Sequence, residues 1–186
     1  KKTNIFLTKK ICKIKNEIKK KNKKIIPIYF SSTYKVNDQS IYGRTKYEEE
    51  KILKDHVDVN KGIVFNFRLP GIFGKFAKPN YNNVVATFCH NISRNKEIQI
   101  NSPDKILEMV YVDDVVNTII SLFDSVSIGW NLIMIKPVYK IKLKDLANKI
   151  KSFHASFENQ ILEGVGFGLE RALYATYISN LPLESF

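Results

Sequence analysis

Apolar residues recur along this chain with two spacings, which predict helices alternating with short strands. Residues 3–22 place apolar side chains at helical spacing among lysines, which predicts an amphipathic helix whose apolar stripe packs against a sheet. This stripe consists of Leu7, Ile11, Ile14 and Ile18. Compact runs of apolar and β-branched residues predict buried strands. These strands are expected at residues 25–30, 63–69, 97–100, 108–112 and 129–135.

Helices are expected between most of these strands. Asn83 is a suitable cap for one of them, because its side chain can accept a hydrogen bond from a backbone N–H of the first turn. Asp113 and Asp114 precede another, where carboxylates interact favourably with the helix dipole, so we assign this pair mainly to structure. The predicted helices cover residues 44–56, 83–94, 115–123 and 143–153.

The alternation of strands and helices also predicts a topology. Parallel strands need long crossover connections, and helices supply them between the strands at residues 25–30, 63–69 and 129–135. We therefore expect these three strands to be parallel neighbours in one sheet of an α/β fold. Beyond residue 155 the pattern weakens, and residues 156–186 are predicted to be a linker or tail with one helix near residues 169–178.

The charge of the chain changes this picture little. The chain has 186 residues, of which 44% are hydrophobic, and a net charge of +12. Such a charge raises the possibility of a nucleic-acid partner. The basic residues are mostly lysines concentrated in the amino-terminal helix, and aromatic residues do not alternate with them as a base-stacking surface requires. We predict a solvated lysine-rich face and no nucleic acid as partner.

Cysteine content and hydropathy indicate the compartment. Cys12 and Cys89 lie far apart in apolar helical contexts, which predicts buried free thiols rather than a disulfide or a metal site. No stretch is apolar enough for a transmembrane helix, and no signal peptide is evident. We therefore expect a cytoplasmic protein with no membrane partner and no metal.

The candidate chemistry lies between residues 25 and 54. The first buried strand is followed by three hydroxyl residues, Ser31, Ser32 and Thr33, and the next helix opens with Tyr42 and, one turn later, Lys46. A hydroxyl at the carboxyl end of a strand can thus meet a phenol and an amine from one helical face. A nearby ammonium favours the phenolate, so this group can move a proton at a carbonyl or alcohol carbon.

The Tyr-x-x-x-Lys spacing alone has little specificity, because Tyr47 and Lys51 repeat it five residues later. Five residues along a helix point to a different face, so the two pairs cannot serve one site. Only Tyr42 stands where a loop becomes a helix, next to a glycine and after a strand that ends in hydroxyls. We therefore expect Tyr47 to be a packing residue.

Several motifs in the same order carry a family resemblance. They are the Ser-Ser-Thr strand end, Tyr-Gly-x-Thr-Lys-x-x-x-Glu at residues 42–50, Phe-Arg-Leu-Pro-Gly-Ile-Phe-Gly at residues 67–74, and Val-Tyr-Val-Asp-Asp-Val-Val at residues 110–116. Together they resemble the extended short-chain dehydrogenase/reductase family of nucleotide-sugar epimerases, dehydratases and reductases. Residues 78–101 and 173–182 are most similar to the capsular polysaccharide branch, whose members reduce a UDP-2-acetamido-2,6-dideoxy-4-keto-hexose.

The resemblance implies roles for individual residues. Tyr42 would give a proton to the substrate carbonyl, while Lys46 would hold the ribose of NAD or NADP. Thr33 is the first choice, and Ser32 the second, for the hydroxyl that orients the carbonyl oxygen. Ser31, Pro70 and Gly71 would lie beside the cofactor, and Gly71 stands where many relatives carry a substrate-contacting asparagine. The expected substrate-binding residues are Asn80, Tyr81, Asn82 and His90.

The resemblance also implies a domain organisation and a function. Residues 1–155 would be the C-terminal part of a Rossmann-like domain, a doubly wound parallel sheet lacking its first strands, with a small α/β substrate-binding portion. Residues 156–186 would lead toward a cupin-like domain. The implied activity is NAD(P)-dependent 4-keto reduction of a UDP-sugar in capsule or O-antigen biosynthesis, by a homodimer when full length.

Two alternatives to this activity stay open. One is an epimerase or dehydratase of the same family, and the other is a non-catalytic truncated product that acts only as an assembly surface. The family opens with a glycine-rich turn that binds the pyrophosphate, and no such turn stands near the start of the chain. The glycines at 164, 166 and 168 lack its spacing and its preceding strand, so we predict a flexible linker there.

Overall fold

The structure, a computed structural model, describes residues 2–159 and 164–185. The chain divides into two compact units. Unit 1 comprises Lys1–Pro70 and Asn117–Ile135, and unit 2 comprises Gly71–Val116 and Lys136–Phe186. Both units combine helices with a small sheet, so the predicted α/β class is confirmed.

Unit 1 contains the parallel sheet that the sequence predicts. Its three strands are adjacent in the order β1, β2, β5, and both pairings are parallel, as expected. The register places Ile28 opposite Val64 and Thr33 opposite Leu69. A short 3₁₀ turn, Tyr34–Asn37, connects β1 to α2. The regular elements of unit 1 are α1 (Lys2–Asn22), β1 (Ile28–Thr33), α2 (Ile41–Asn60), β2 (Ile63–Leu69) and β5 (Gly129–Ile133).

The amino-terminal helix forms where predicted, but with a different face buried. In α1 the buried residues are Thr8 and Cys12, whereas Leu7 is 50% and Ile11 48% exposed. Helix α1 packs against α2, and Cys12 joins a small core with Leu53 and other apolar residues of unit 1. Periodicity identifies the helix, but the packing partner determines which of its sides is covered.

Unit 2 contains a second, mixed sheet that the sequence predicts only in part. Strands β3 and β4 pair in parallel, and β4 pairs with β6 in antiparallel orientation. Strands β3 and β6 were not predicted, and the strand predicted at residues 97–100 does not form. The elements are β3 (Gly71–Phe73), α3 (Val84–Ile92), β4 (Ile106–Tyr111), α4 (Val112–Ser121, which continues into unit 1), β6 (Tyr139–Lys142), α5 (Leu143–Glu158) and α6 (Gly168–Ile178).

The predicted linker, residues 156–186, differs most from the structure. Helix α6 packs against α3 and α5, and Leu173 and Tyr177 are fully buried in the core of unit 2. The boundary expected after residue 155 therefore does not separate the compact units. The helix predicted near residues 169–178 does form, as α6. Its packing is not evident from the sequence, because α6 is short and its buried residues include polar ones such as Thr176. Residues 160–163 of the predicted linker lie outside the described part.

Both cysteines are free and buried, as predicted. Burial raises the pKa of the Cys89 thiol to about 12, so this side chain behaves as a small apolar core residue. None of the helices within residues 2–159 and 164–185 combines the length and apolar character needed to cross a bilayer.

Gly43, in the first turn of α2, is required by a close approach of the preceding 3₁₀ turn. A Cβ atom at this position would overlap the carbonyl oxygen of Lys35 and the side chain of Asp38. We predict that Gly43→Ala lowers the free energy of unfolding by roughly 1–3 kcal/mol, because the overlap forces a backbone shift. Urea denaturation of the purified chain measures this change.

Gly166→Ala is the matched control, since no atom lies within 4 Å of a Cβ placed there. Equal stability of the two variants would contradict the packing argument at Gly43.

Candidate active site

The ends of β1 and β2 and the start of α2 form one polar region in unit 1. Ser32 lies opposite Arg68 in the parallel register, and Thr33 lies opposite Leu69. Helix α2 begins just after the 3₁₀ turn, where Ser40 caps it by accepting a hydrogen bond from the Gly43 N–H at 2.9 Å. The carboxyl ends of parallel strands commonly provide binding sites in α/β folds.

Tyr42 and Lys46 extend from the first turns of α2, as the spacing predicts. Tyr42 is 55% exposed, so its ring is not part of the core. Lys46 turns back to the strand end, where its Nζ atom donates to the carbonyl oxygen of Ser31 at 2.9 Å. The same ammonium lies 4.6 Å from the centroid of the Phe30 ring. Lys46 is therefore held at the end of β1, while Tyr42 remains accessible to a ligand.

The two candidate hydroxyls, Thr33 and Ser32, have different partners. The Ser32 hydroxyl donates to the buried carboxylate of Glu50. Thr33 Oγ1 instead accepts a hydrogen bond from the backbone N–H of Lys35 at 3.2 Å. Among the described residues, that bond uses an oxygen lone pair and leaves the Thr33 hydrogen available to donate to a ligand. This difference favours Thr33 over Ser32 as a group that contacts a carbonyl oxygen.

Glu50 is the last residue of the motif that begins at Tyr42, but the sequence argument assigned it no role. It lies one turn after Lys46 on α2, and its carboxylate accepts from Arg68 Nε at 3.1 Å and from Arg68 Nη2 at 2.7 Å. Asn66, fully buried in β2, lies beside it. An arginine and an asparagine within an otherwise apolar strand were the signal that could have revealed this cluster.

The hydrogen bonds around Glu50 determine its charge state. Burial by itself would raise the pKa of Glu50, but the hydrogen bonds from Arg68 and Ser32 outweigh it, and the net pKa is lowered. The hydrogen bond to Glu50 in turn raises the pKa of Arg68. The pair is therefore ionised at neutral pH, with only 7% of the Glu50 side chain exposed.

Pro70 and Gly71 stand at the end of unit 1 and the beginning of unit 2, respectively. Pro70 directly follows β2, and Gly71 opens β3, where it pairs with Met109. A Cβ atom on Gly71 would lie 3.3 Å from the carbonyl oxygen of Glu108, so a larger residue needs a small backbone adjustment there. The cofactor contacts of Pro70 and Gly71 stay predictions.

The predicted substrate-binding loop belongs to unit 2. Asn80 and Asn82 adopt left-handed backbone conformations, with φ of 56° and 51°. The Asn80 N–H donates to Thr87 Oγ1 at 2.9 Å, and Asn83 caps α3 as predicted by accepting from the Ala86 N–H. Tyr81 is 66% exposed at the tip of this loop. The local structure explains the asparagines without a ligand and leaves Tyr81 accessible.

His90 lies on α3 and is partly buried. Burial and the nearby charges of Arg94 and Lys96 lower its pKa, so its imidazole is neutral at physiological pH and can both donate and accept. Its proposed substrate contact stays a prediction.

Asp113 supports the structural assignment that the sequence suggested for the acidic pair. In the first turn of α4 its carboxylate lies 3.0 Å from the Nζ atom of Lys75. Burial, followed by the charge of Asp113, raises the pKa of Asp114.

The residues present fit one end of a nicotinamide dinucleotide. Lys46 and Thr33 supply donors beside an accessible phenol, as a ribose and a carbonyl oxygen require. A pyrophosphate needs backbone N–H groups at the start of a helix. Gly164 and Gly166, which stand before α6, do not supply the usual glycine-rich turn between a strand and a helix within the described residues.

Comparison with known proteins gives one family match and several relatives. The sequence profile of the NAD dependent epimerase/dehydratase family matches residues 19–131. A UDP-2-acetamido-2,6-beta-L-arabino-hexul-4-ose reductase of Pseudomonas aeruginosa is 38% identical over 183 residues, which are 98% of this chain and 48% of the reductase. The chain thus spans about half the length of this relative.

Solved structures of two other proteins are also similar to this chain. The capsular polysaccharide assembling protein CapF of Staphylococcus aureus superimposes with a TM-score of 0.81 at 34% identity, over 89% of this chain and 46% of CapF. A UDP-glucose 4-epimerase of Thermotoga maritima gives a TM-score of 0.68 at 19% identity, over 82% of this chain and 62% of the epimerase. The second likeness supports the Rossmann-like fold alone.

The Glu50 cluster predicts a specific pH dependence of stability. Because the folded pKa of Glu50 lies below its unfolded value, its contribution is present above pH about 4.3 and is lost as the pH falls through the lower, folded pKa. Glu50→Gln should lower the free energy of unfolding by about 2 kcal/mol at pH 7, because Arg68 loses its charged partner. Urea denaturation between pH 3 and pH 7 measures both effects.

Glu48→Gln removes the same charge from an exposed position of the same helix and serves as the control. We expect the difference between the two variants to shrink toward pH 3. A difference that stays constant over this range would exclude the ionised pair as its cause.

Proposed function

This chain belongs to the NAD dependent epimerase/dehydratase family, and we propose that it carries the catalytic residues of an NAD(P)-dependent reductase of a UDP-activated N-acetylated deoxyhexose. The arrangement of Tyr42, Lys46 and Thr33 around the end of β1 carries this proposal. The similarity to the Pseudomonas reductase and to CapF supports the sugar class and a role in capsule or O-antigen biosynthesis.

The proposed mechanism assigns one step to each group. Thr33 donates a hydrogen bond to the 4-keto oxygen and orients it toward Tyr42. Tyr42 gives its phenolic proton to that oxygen as the carbonyl carbon is reduced, and the neighbouring Lys46 ammonium stabilises the phenolate that forms. Lys46 also holds the ribose hydroxyls of NAD or NADP, which supplies the hydride when bound. Ser31, Pro70 and Gly71 complete the cofactor side.

Substrate recognition is proposed for unit 2. Asn80, Tyr81, Asn82 and His90 provide amides, an accessible phenol and a neutral imidazole, which can hydrogen-bond sugar hydroxyls and an acetamido group. We place the protein in the cytoplasm, where nucleotide sugars are substrates, and expect the full-length enzyme to be a homodimer without a nucleic-acid partner.

An epimerase of the same family would use the same proton chemistry, and a non-catalytic truncated product would use none. Net oxidation of NADH or NADPH in the presence of a 4-keto sugar nucleotide separates the reductase from the epimerase, which regenerates its cofactor. Absence of any turnover in a complete protein would favour the non-catalytic alternative.

The central prediction concerns Tyr42. In a chimera of the Pseudomonas reductase whose matching segment is replaced by this chain, Tyr42→Phe should reduce kcat by about a hundredfold or more, because a general acid is lost. The KM for the sugar nucleotide should change little. Stopped-flow measurement of NADPH oxidation tests both values.

Tyr47 is 52% exposed, so the expectation that it is a packing residue is wrong. Tyr47→Phe is the matched control, since Tyr47 lies on the same helix at an exposed position. It should leave kcat unchanged. A chimera in which Tyr42→Phe and Tyr47→Phe have equal activity would overturn the assignment of Tyr42.

A second prediction concerns the 186-residue chain by itself. Its candidate groups contact only the nicotinamide end, so we expect weak dinucleotide binding and no reductase activity without a pyrophosphate-binding turn. Titration with NADPH, followed by cofactor fluorescence, should not saturate in the micromolar range. Micromolar affinity would show that a further phosphate-binding site exists in this chain.

A further inference from the structure

Lys46 has a second charged neighbour besides its contact with the end of β1. Its Nζ atom lies 3.5 Å from Oε2 of Glu49, and only 15% of the lysine side chain is exposed. The backbone carbonyl of Ser31 accepts from the same ammonium at 2.9 Å. An ammonium has three N–H donors, and these two contacts fix its direction.

Glu49 is unusual for a residue on an acidic helix surface. It is only 4% exposed, whereas its neighbour Glu48 is exposed to solvent. A buried carboxylate is costly unless charged or hydrogen-bonding groups compensate for its lost hydration. Within the described part of the chain, Oε1 accepts a hydrogen bond from Thr8, whereas Oε2 accepts no hydrogen bond and is compensated only by the ion pair with Lys46 at 3.5 Å.

Thr8 connects this carboxylate to the amino-terminal helix. The Thr8 hydroxyl has one hydrogen and two acceptors within reach, Glu49 Oε1 at 2.9 Å and the backbone carbonyl of Asn4 at 3.1 Å, and the charged carboxylate is the stronger acceptor. Thr8 is itself 6% exposed. This contact uses the face of α1 that is buried against α2, where Cys12 also lies. The polar residue in the packing face of α1 therefore has a specific partner, and it restrains the direction of the Glu49 side chain.

We propose that Glu49, held in place by Thr8, is a positioning residue for Lys46. This inference deepens the proposed function, on which it rests for the role of Lys46. Glu49 restrains the ammonium beside the end of β1, so that an N–H donor of Lys46 meets a ligand without reorientation. Glu50 acts separately, because its carboxylate bonds Ser32 and Arg68.

The test measures the reactivity of the Lys46 amine in the purified chain. The Lys46 Nζ atom is held between Glu49 and the Ser31 carbonyl, so removal of the Glu49 charge should free the amine and increase its acylation rate. We expect Glu49→Gln to raise the rate of Lys46 acetylation by sulfo-N-hydroxysuccinimide acetate roughly fivefold, as the loss of one restraining charge contact implies. Peptide mass spectrometry follows Lys46 and exposed Lys13 in the same samples.

Thr8→Val provides a second variant that keeps the charge of Glu49. It removes one hydrogen bond and should raise the Lys46 rate by a smaller factor, while Thr8→Ser, which retains the hydroxyl, should restore the original rate. The matched controls are Glu48→Gln on α2 and Thr3→Val on α1, both at exposed positions. Neither control should change the Lys46 rate.

The buried Cys12 thiol reports whether the helices stay packed. A variant in which Cys12 becomes reactive has lost the contact between α1 and α2, and Thr8→Val then decides the question in place of Glu49→Gln. Equal Lys46 rates in the packed Glu49 or Thr8 variants and their controls would overturn the proposal. The measurement contains no cofactor or substrate, so it is independent of the outcome of the Tyr42 experiment.

Discussion

The buried carboxylate of Glu50 is the interaction on which the geometry of unit 1 depends. It connects three elements, since it belongs to α2, accepts from Ser32 at the end of β1 and forms a two-point ion pair with Arg68 near the end of β2. Ser32 and Arg68 already face each other in the strand register. Breaking such a pair leaves an uncompensated charge in a desolvated place. The position of α2 against the strand ends is therefore determined by hydrogen-bond directions as well as by apolar packing.

Because of this position, successive residues in the first turns of α2 make different contacts. Its first turn approaches the preceding 3₁₀ turn so closely that only glycine fits at position 43, and this contact fixes the start of the helix. Tyr42 stays accessible in that turn, while Lys46, one turn later, reaches the carbonyl oxygen of Ser31. The proposed proton transfer by Tyr42 needs aligned groups, and small errors in their direction are costly to such a reaction. A helix held by the buried contacts of Glu49 and Glu50 limits such errors.

The buried carboxylates of Glu49 and Glu50 depend on different parts of the chain. Glu50 is satisfied by the sheet itself, through β1 and β2. Glu49 depends on α1, because Thr8 supplies one of its two contacts. A change in the packing of α1 would thus alter the position of the Glu49 side chain, and with it the position of the Lys46 ammonium. The contacts of Glu50 with Ser32 and Arg68 would stay intact. The apolar side of α1, with Leu7 and Ile11 half exposed, takes no part in this connection.

The sequence by itself determined the element types, the parallel pairing of β1, β2 and β5, and the family, because periodicity and ordered motifs are local properties of the chain. It also predicted that Tyr42 and Lys46 extend from one face of a helix, since one helical turn separates them whatever surrounds the helix. Only the tertiary structure showed the different hydrogen-bond partners of Ser32 and Thr33 and the buried contacts of Glu49, Glu50 and Arg68, because the partners of a hydroxyl or a buried charge come from distant segments. For the same reason the buried face of α1 and the packing of α6 could not be predicted from spacing: an amphipathic pattern shows that a helix has a side to bury, and only its neighbours decide which side that is.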